Sequence, residues 1–368
     1  MAVKKKIIVS VINDLVSDNR VHKVCTTLLN LGFSVLLIGR QLPGSMSVKN
    51  RDYKTKRFFL LFKKGPLFYA EYNFRLFLFL LFSKADVLLS NDLDTLVANY
   101  LVSRIMKRSL VYDSHEYFTE VPELIGRSKV KRIWERFERK MIPNIKYAYT
   151  VSNSIAEVYA KKYGVKFNVV RNLPVANEVK QIDKQSSEEK IILYQGAINI
   201  GRGLKQAILA MRFIENAKLV IAGDGDIKPQ LEKLVEKEKL QNKVEFIGRL
   251  PIEKMVKFTP KADLGLSIEE DLGLNYRYAL PNKLFDYIQA QVPVLVSNLP
   301  EMTSIINQYK VGDIATTLEP EKLAKKIKDS LFDEEKREIW RKNLKYAAKE
   351  LTWENEEKIL QNIFSVFL

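Results

Sequence analysis

Short β-branched and apolar runs punctuate the chain: Ile7-Ile8-Val9-Ser10-Val11-Ile12, Val87-Leu88-Leu89, Ser109-Leu110-Val111-Tyr112 and Ile191-Ile192-Leu193-Tyr194. That composition predicts strands buried in a parallel sheet. Segments of helical period lie between them. One follows the run at 191–194 through Ala210, and another opens at Asn282 and closes at Val292-Pro293-Val294-Leu295-Val296. From Lys129 to Ile142, the residues Val130, Ile133, Phe137 and Met141 share one helical face. Leu351 to Phe367 is amphipathic in the same way. Strands alternating with helices favour an α/β fold with parallel sheets.

The turns where strands end carry the candidate chemistry. After Tyr194 comes Gln195-Gly196-Ala197-Ile198-Asn199-Ile200-Gly201-Arg202-Gly203-Leu204, and after the next strand Val220-Ile221-Ala222-Gly223-Asp224-Gly225. Strand, glycine-bearing loop and helix together bring backbone close to phosphates, and Arg202 between two glycines is a fork donor for an oxyanion. A third turn leads into Pro281-Asn282-Lys283-Leu284-Phe285-Asp286-Tyr287. There Asn282 is the expected N-cap and Lys283 the first helical residue, an anion site positive by dipole and by side chain. Asp286 lies one turn further on the same face, a carboxylate suited to a ribose diol beside a diphosphate. The ligand these residues predict is a nucleotide diphosphate. An ordinary capped helix with a solvated Asp is the alternative.

Composition and charge add a partner and a boundary. A chain of 368 residues suggests two or three domains. Its single cysteine, Cys25, excludes an internal disulfide and suits a reducing compartment. Lys4-Lys5-Lys6 before the first apolar run resembles a signal peptide. Asn13 and Asp14 cut that run short, so it reads as the first strand. Polar, proline-bearing sequence from Leu173 to Glu189 reads as a linker. Residues 1–177 hold 30 Lys and Arg against 14 Asp and Glu, and the remainder 30 against 30, so the whole net charge of +16 belongs to the N-terminal half. The basic residues surround Phe58-Phe59-Leu60-Leu61-Phe62 and Leu76-Phe77-Leu78-Phe79-Leu80-Leu81-Phe82, too short to span the roughly 20 residues of a bilayer. These apolar runs, and the face at 130–141, are expected to be domain core. The charge excess points to an anionic partner. An anionic membrane surface fits, and no nucleic-acid module is recognisable.

Asp92-Leu93-Asp94 has the spacing of a metal-holding pair. It follows a strand and opens a helix, however, with Asn91 and Asp94 spaced like a capping box, and no metal is called for. The only histidines are His22 and His115, and no nucleophile elbow accompanies them.

The order and spacing of several motifs make the chain resemble a family-4 glycosyltransferase of GT-B architecture, in the branch serving bacterial surface polysaccharides. They are Asn13-Asp14 with Ser17-Asp18-Asn19-Arg20-Val21, then Asn91-Asp92-Leu93-Asp94-Thr95-Leu96 and Val111-Tyr112-Asp113-Ser114-His115-Glu116-Tyr117. Val121-Pro122-Glu123-Leu124, Thr150-Val151-Ser152, Arg171-Asn172-Leu173-Pro174 and the C-terminal turns follow. The resemblance implies two doubly wound Rossmann-like domains facing each other across a cleft. These are an acceptor-binding domain at 1–173, a linker at 174–189, a nucleotide-sugar domain at 190–350, and a helix at 351–368 packing back on the first.

The activity implied is retaining transfer of a sugar from a UDP- or GDP-sugar to a glycan or lipid-diphosphate-linked acceptor. The nucleotide sugar is a co-substrate, with no other cofactor and no metal. His115, Arg202 and Lys283 are the expected catalytic residues. The donor falls to Gly196, Asn199, Arg202, Gly203, Gly223, Asp224, Tyr278, Asn282, Lys283, Leu284 and Asp286, and the acceptor to Asp18, Arg20 and Glu116. The leaving phosphate takes the acceptor's proton, so no protein nucleophile is named. The expected location is cytoplasmic, on the inner face of the membrane. Two departures stand out: Tyr278 replaces the first of the family's two glutamates, and Ala197 replaces the Arg after the loop glycine, with Lys283 or Arg277 left to compensate. A sugar-nucleotide epimerase or hydrolase of the same fold, and a catalytically silent membrane-surface assembly subunit, are the alternatives.

Overall fold

A computed structural model describes residues 4–16, 18–48, 50–124, 126–176 and 189–368. Its contacts divide the chain into two compact units, Met1–Asn172 with Glu356–Leu368, and Leu173–Asn355. Of the expected linker, residues 177–188 lie outside the described residues, as do Ser17 and Lys49.

The first unit runs β1 (Lys6–Ser10), α1 (Asn19–Asn30), β2 (Ser34–Gln41), β3 (Lys54–Phe59), α2 (Gly65–Phe82), β4 (Val87–Asn91), α3 (Asp92–Ile105), β5 (Ser109–Ser114), α4 (Ser128–Met141), β6 (Tyr147–Thr150), α5 (Asn153–Tyr163) and β7 (Asn168–Val169). Its seven strands are all parallel, in the order β3-β2-β1-β4-β5-β6-β7. The order reverses between β1 and β4, and crevices for ligands form at the carboxyl ends of strands at such a reversal. Alternation along the strands sends Ile8, Ile38 and Leu88 to one face, where Phe68, Tyr72, Leu76 and Leu80 of α2 cover them.

The second unit runs β8 (Lys190–Gln195), α6 (Leu204–Ala210), β9 (Ala217–Ala222), α7 (Lys228–Lys237), β10 (Val244–Gly248), α8 (Ile252–Phe258), β11 (Leu264–Ser267), α9 (Leu274–Arg277), α10 (Asn282–Gln289), β12 (Val294–Ser297), α11 (Pro300–Tyr309), β13 (Gly312–Ala315), α12 (Pro320–Phe332) and α13 (Glu334–Glu350). Six parallel strands take the order β10-β9-β8-β11-β12-β13, reversing between β8 and β11. Period-two alternation divides its core: Ile192, Tyr194, Leu219, Ile221 and Leu266 face one layer of helices, and Leu193, Val220, Val294 and Val296 the other. The last helix, α14 (Trp353–Ser365), carries Phe364 into the first unit's core against Phe33 and Tyr149.

Two expectations about the helices are corrected here. The helix α2 buries only the narrow stripe Phe68, Tyr72, Leu76 and Leu80, leaving Leu67, Phe74, Leu78 and Phe82 exposed. The helix α4 buries Trp134, Glu138 and Met141, while Ile133 and Phe137 are exposed. The apolar runs are therefore only partly core. A helix laid on the face of a sheet hides about one stripe, and an all-round apolar sequence exceeds what that stripe can cover.

Candidate functional site

The second unit's reversal point brings together the loop after β8 and the segment after β11. The backbone there requires glycine. Gly203 caps α6 at φ +66°, and a Cβ on it would run into the Ile268 carbonyl oxygen. Gly223 packs on the Gly196 carbonyl oxygen closely enough that any side chain would collide. The two loops can therefore meet only as bare backbone. At Gly196 a Cβ would sit 3.4 Å from Lys283 Cε, so the lysine stem lies against the glycine loop.

Arg202 and Lys283 converge on one carboxylate. Lys283 Nζ donates to Glu269 Oε1 at 2.8 Å, and Arg202 NH1 lies 3.6 Å from the same oxygen. Ser267 Oγ donates to the other carboxylate oxygen at 3.0 Å. The Glu269 side chain is wholly buried. Burial would raise its carboxyl, but Lys283 and Arg202 hold it below the usual carboxylate range. Lys283 Nζ also lies 4.2 Å from the Tyr194 ring centroid, and Arg202 Cζ 5.7 Å from that of Tyr276. Two cations against one anion leave a net positive site. Arg202 Nε is buried there with no hydrogen-bond partner among the described residues. Asp286 accepts from Gln195 Nε2 at 3.1 Å, and Gln195 Oε1 accepts in turn from Thr259 Oγ1 at 2.8 Å. Gln195 is thereby clamped, and it orients the carboxylate.

Other expected donor residues are placed less directly. Asn199 Oδ1 accepts from Asp226 N at 3.3 Å, and Asp224 Oδ1 from Gly225 N at 3.0 Å, so both shape their loops. Leu284 is buried in the core. Tyr278 is half-buried at the C-terminus of α9. Exposed Arg277 is taken up by Asp271 at 2.6 Å. The helix start is corrected by one residue: Pro281 is the N-cap and Asn282 is already helical, with no side-chain cap bond. A proline locked at φ −66° with extended ψ performs that boundary role without a side chain.

In the first unit, the loops at the reversal gather charge. His115 Nε2 lies 3.0 Å from Asp113 Oδ2 and 3.1 Å from Asn91 Oδ1, while Nδ1 is 3.5 Å from Asp92 Oδ2. The His115 amide donates to Asp92 Oδ1 at 2.8 Å. Burial would lower the imidazole's pKa, yet Asp113 and Asp92 push it up to about 9, so the ring is cationic at neutral pH. Burial pushes the Asp92 carboxyl up to about 6, with His115 pulling against it. Asp92 also adopts a left-handed φ of +58° at the strand–helix junction, a conformation that costs most L-residues about 1–2 kcal/mol.

Arg20 grips Asp113 with two nitrogens, at 3.3 and 2.9 Å, and donates to the Val170 carbonyl at 2.9 Å. Buried in that grip, it reaches the site through Asp113. Asp18 caps α1, accepting from Val21 N at 3.0 Å and from Asn13 Nδ2 at 2.6 Å. Glu116 is exposed on the loop after β5. The expected capping box at Asn91 is not formed: Asn91 Nδ2 donates to the Ser10 carbonyl oxygen at 3.0 Å, tying β4 to β1. Among the described residues, no group of three or more His, Cys, Asp or Glu is arranged to hold a metal.

Sequence reasoning missed Glu269, Gln195 and the structural use of Asp113. A carboxylate two residues after a short buried strand at a reversal point was the available signal for Glu269.

Two doubly wound parallel sheets in one chain, each with its polar cluster at the reversal point, are the GT-B architecture. The chain belongs to the glycosyltransferases: residues 18–174 match the family model for Glycosyltransferase Family 4, and residues 176–346 that for Glycosyl transferases group 1. It is 29% identical to an uncharacterized glycosyltransferase, MJ1607, of Methanocaldococcus jannaschii over 49% of this chain and 45% of that protein. It is 27% identical to the GalNAc-alpha-(1->4)-GalNAc-alpha-(1->3)-diNAcBac-PP-undecaprenol alpha-1,4-N-acetyl-D-galactosaminyltransferase of Campylobacter jejuni over 46% of this chain and 45% of that one. These matches span about half the length of the curated relatives. The fold is also that of Anabaena Alr3699/HepE, solved in complex with UDP-glucose: TM-score 0.73 at 14% identity, covering 98% of this chain and 99% of that one.

Proposed function

We propose that this protein is a retaining glycosyltransferase that moves a sugar from a UDP- or GDP-sugar to a glycan or lipid-diphosphate-linked acceptor in bacterial polysaccharide biosynthesis. The observation that carries the reading is the pairing of Arg202 and Lys283 on buried Glu269 beside the glycine loop. The cluster is net positive and lies where α/β folds bind phosphates. When the anomeric carbon–oxygen bond breaks, its electron pair goes to the departing diphosphate, and fixed cations stabilise the charge that builds there. One such contact is typically worth about 10²–10³ in rate. The acceptor oxygen forms the new bond to the anomeric carbon and passes its proton to the leaving phosphate. The cations supply the charge that a metal would otherwise bring. Asp286, oriented by Gln195, takes the ribose diol. His115 serves the donor sugar as an imidazolium donor through Nδ1, with Asp113 and Asn91 holding Nε2.

The complex with UDP-glucose in HepE supports a uridine donor, and the undecaprenyl diphosphate named for the Campylobacter relative supports a lipid-linked acceptor. With such an acceptor the protein works at the inner face of the cytoplasmic membrane, to which its basic N-terminal half is attracted. No helix among the described residues is long and apolar enough to cross a membrane. The test incubates a panel of UDP- and GDP-sugars with polyprenyl-diphosphate-linked saccharides and analyses products by mass spectrometry and proton NMR. The expected product is the acceptor extended by one sugar in the donor's anomeric configuration. Free sugar or an isomerised nucleotide sugar, formed without acceptor, would instead make the protein a hydrolase or an epimerase.

A further inference from the structure

The geometry points to the outer face of α2, with edge strand β3 beside it, as the surface that seats this protein on an anionic lipid bilayer. The inference rests on the reading that the acceptor is borne by a membrane.

The helix α2 is apolar nearly all round but buries a single stripe, so its other apolar side chains face outward. Phe74 is 62% exposed and Phe82 82%, and on the approach to the helix Leu61 is 70% exposed. Scattered apolar residues are ordinary on a protein surface, whereas several large ones on one helix and its approach loop mark a place of contact. Between β3 and the second half of α2 lies a groove of about 610 Å³. Phe58, Leu78, Phe79 and Phe82 wall it, and Lys56 and Arg75 supply its charge. Lys56 Nζ sits 4.4 Å from the centre of the Phe79 ring, so the cation and the apolar wall are offered together.

Charge selects the occupant. Residues 54–84 hold seven Lys and Arg against one acid, Glu71. Glu71 is already engaged, accepting from the Leu61 and Phe62 amides and from Arg75. A second copy of the chain would bring the same cations against these. A nucleic acid would meet the cations but leave the phenylalanines in water. A bilayer of anionic phospholipid meets both: the apolar side chains enter the boundary between headgroups and acyl chains, and each Lys or Arg near the surface adds about 1 kcal/mol. The groove then takes a phospholipid phosphate at Lys56, with Arg75 beside it still paired to Glu71 and hydrocarbon along the phenylalanines. The helix α4 also exposes Ile133 and Phe137 among cations, and it serves as the internal comparison.

Flotation of the full chain with phosphatidylcholine vesicles, with and without phosphatidylglycerol, at low and high salt tests the assignment. Wild type is expected to float with the anionic vesicles and to be released by salt. Phe74→Ser/Phe82→Ser, substituting exposed side chains and leaving the melting temperature unchanged, is expected to bind at least about tenfold more weakly, from the lost burial of two aromatic rings. Lys56→Gln/Arg75→Gln is expected to weaken the preference for phosphatidylglycerol, and an unchanged preference would remove the groove as the phosphate site. Ile133→Ser/Phe137→Ser is expected to bind as wild type. Wild-type binding by the Phe74/Phe82 variant, or loss of binding only in the α4 variant, would overturn the assignment while leaving membrane attachment standing. Failure of wild type to bind any vesicle would remove both. Nucleotide binding in solution tests the transferase reading separately.

Discussion

At the scale of single residues, two charged clusters set burial and pairing against each other. In the first, Asp113 and Asp92 raise the His115 imidazole to about 9, against an unfolded value near 6.5. The folded state therefore binds that proton more tightly. The stability it contributes is complete below about pH 6.5 and is lost as pH rises through about 9. An NMR titration should show the His115 ring changing charge near pH 9, and Asp113→Asn should bring the midpoint down toward the ordinary range. An unchanged midpoint would remove Asp113 as the cause.

The second cluster sets Arg202 and Lys283 on Glu269. Glu269→Gln leaves two cations facing each other without their carboxylate, and breaking a buried pair costs about 3–5 kcal/mol. The variant should melt at lower temperature than wild type, and bound UDP or GDP should restore more stability to it, since the diphosphate replaces the missing charge. Equal melting temperatures would mean that Glu269 compensates nothing. Arg202 and Lys283 could be singled out from local patterns, an arginine between glycines and a lysine at a helix start, whereas His115 was singled out through the family resemblance. Glu269 and Gln195 were not, because their roles depend on partners elsewhere in the chain: Lys283 and Arg202 for Glu269, 14 and 67 positions away, and Thr259 and Asp286 for Gln195, 64 and 91 positions away.

Among the elements, strands and glycine turns were the most readable. The run at 191–194 lies within β8 and that at 109–112 within β5, because buried parallel strands have little choice but continuous apolar sequence. Gly203 shows why a turn's residue type matters. At φ +66° and pressed on the Ile268 carbonyl, it admits no side chain without strain and a collision. Gly203→Ala should lower stability in chemical denaturation by about 1–2 kcal/mol from backbone strain alone, with the collision adding to that. A smaller loss would mean that the loop relaxes freely. Helix faces were read less well. Apolar spacing in α2 and α4 fitted a core, but spacing reports which residues share a side and not whether anything covers it. In α2 the covering sheet reaches one stripe, and the phenylalanines beyond it stand in solvent. Helix boundaries moved by a residue where Pro281, and not the better side-chain cap, turned the chain.

Across the whole molecule, each sheet sets its polar cluster at the point where strand order reverses, so topology decides where chemistry is possible. The first unit is completed from the far end of the sequence. Arg171 donates to Glu356 through its amide, Nε and NH2, and Phe364 is buried against Phe33 and Tyr149. Phe364→Ala should cost about 3–5 kcal/mol in chemical denaturation, and truncation after Glu350 should destabilise the first unit at least as much. A truncated chain that melts like wild type would contradict this. The charge asymmetry between the halves was visible from composition, but where the apolar and basic residues meet on the surface required the fold.

Arg202 and Lys283 are proposed to hold a nucleotide diphosphate without a metal. Calorimetric titration of UDP and GDP into the full chain in the presence of EDTA tests it most directly, with Arg202→Ala measured alongside. One nucleotide is expected to bind wild type, and the variant to bind it at least about tenfold more weakly, the loss expected for a charged hydrogen bond. Binding of neither nucleotide, or equal binding by the variant, would contradict it.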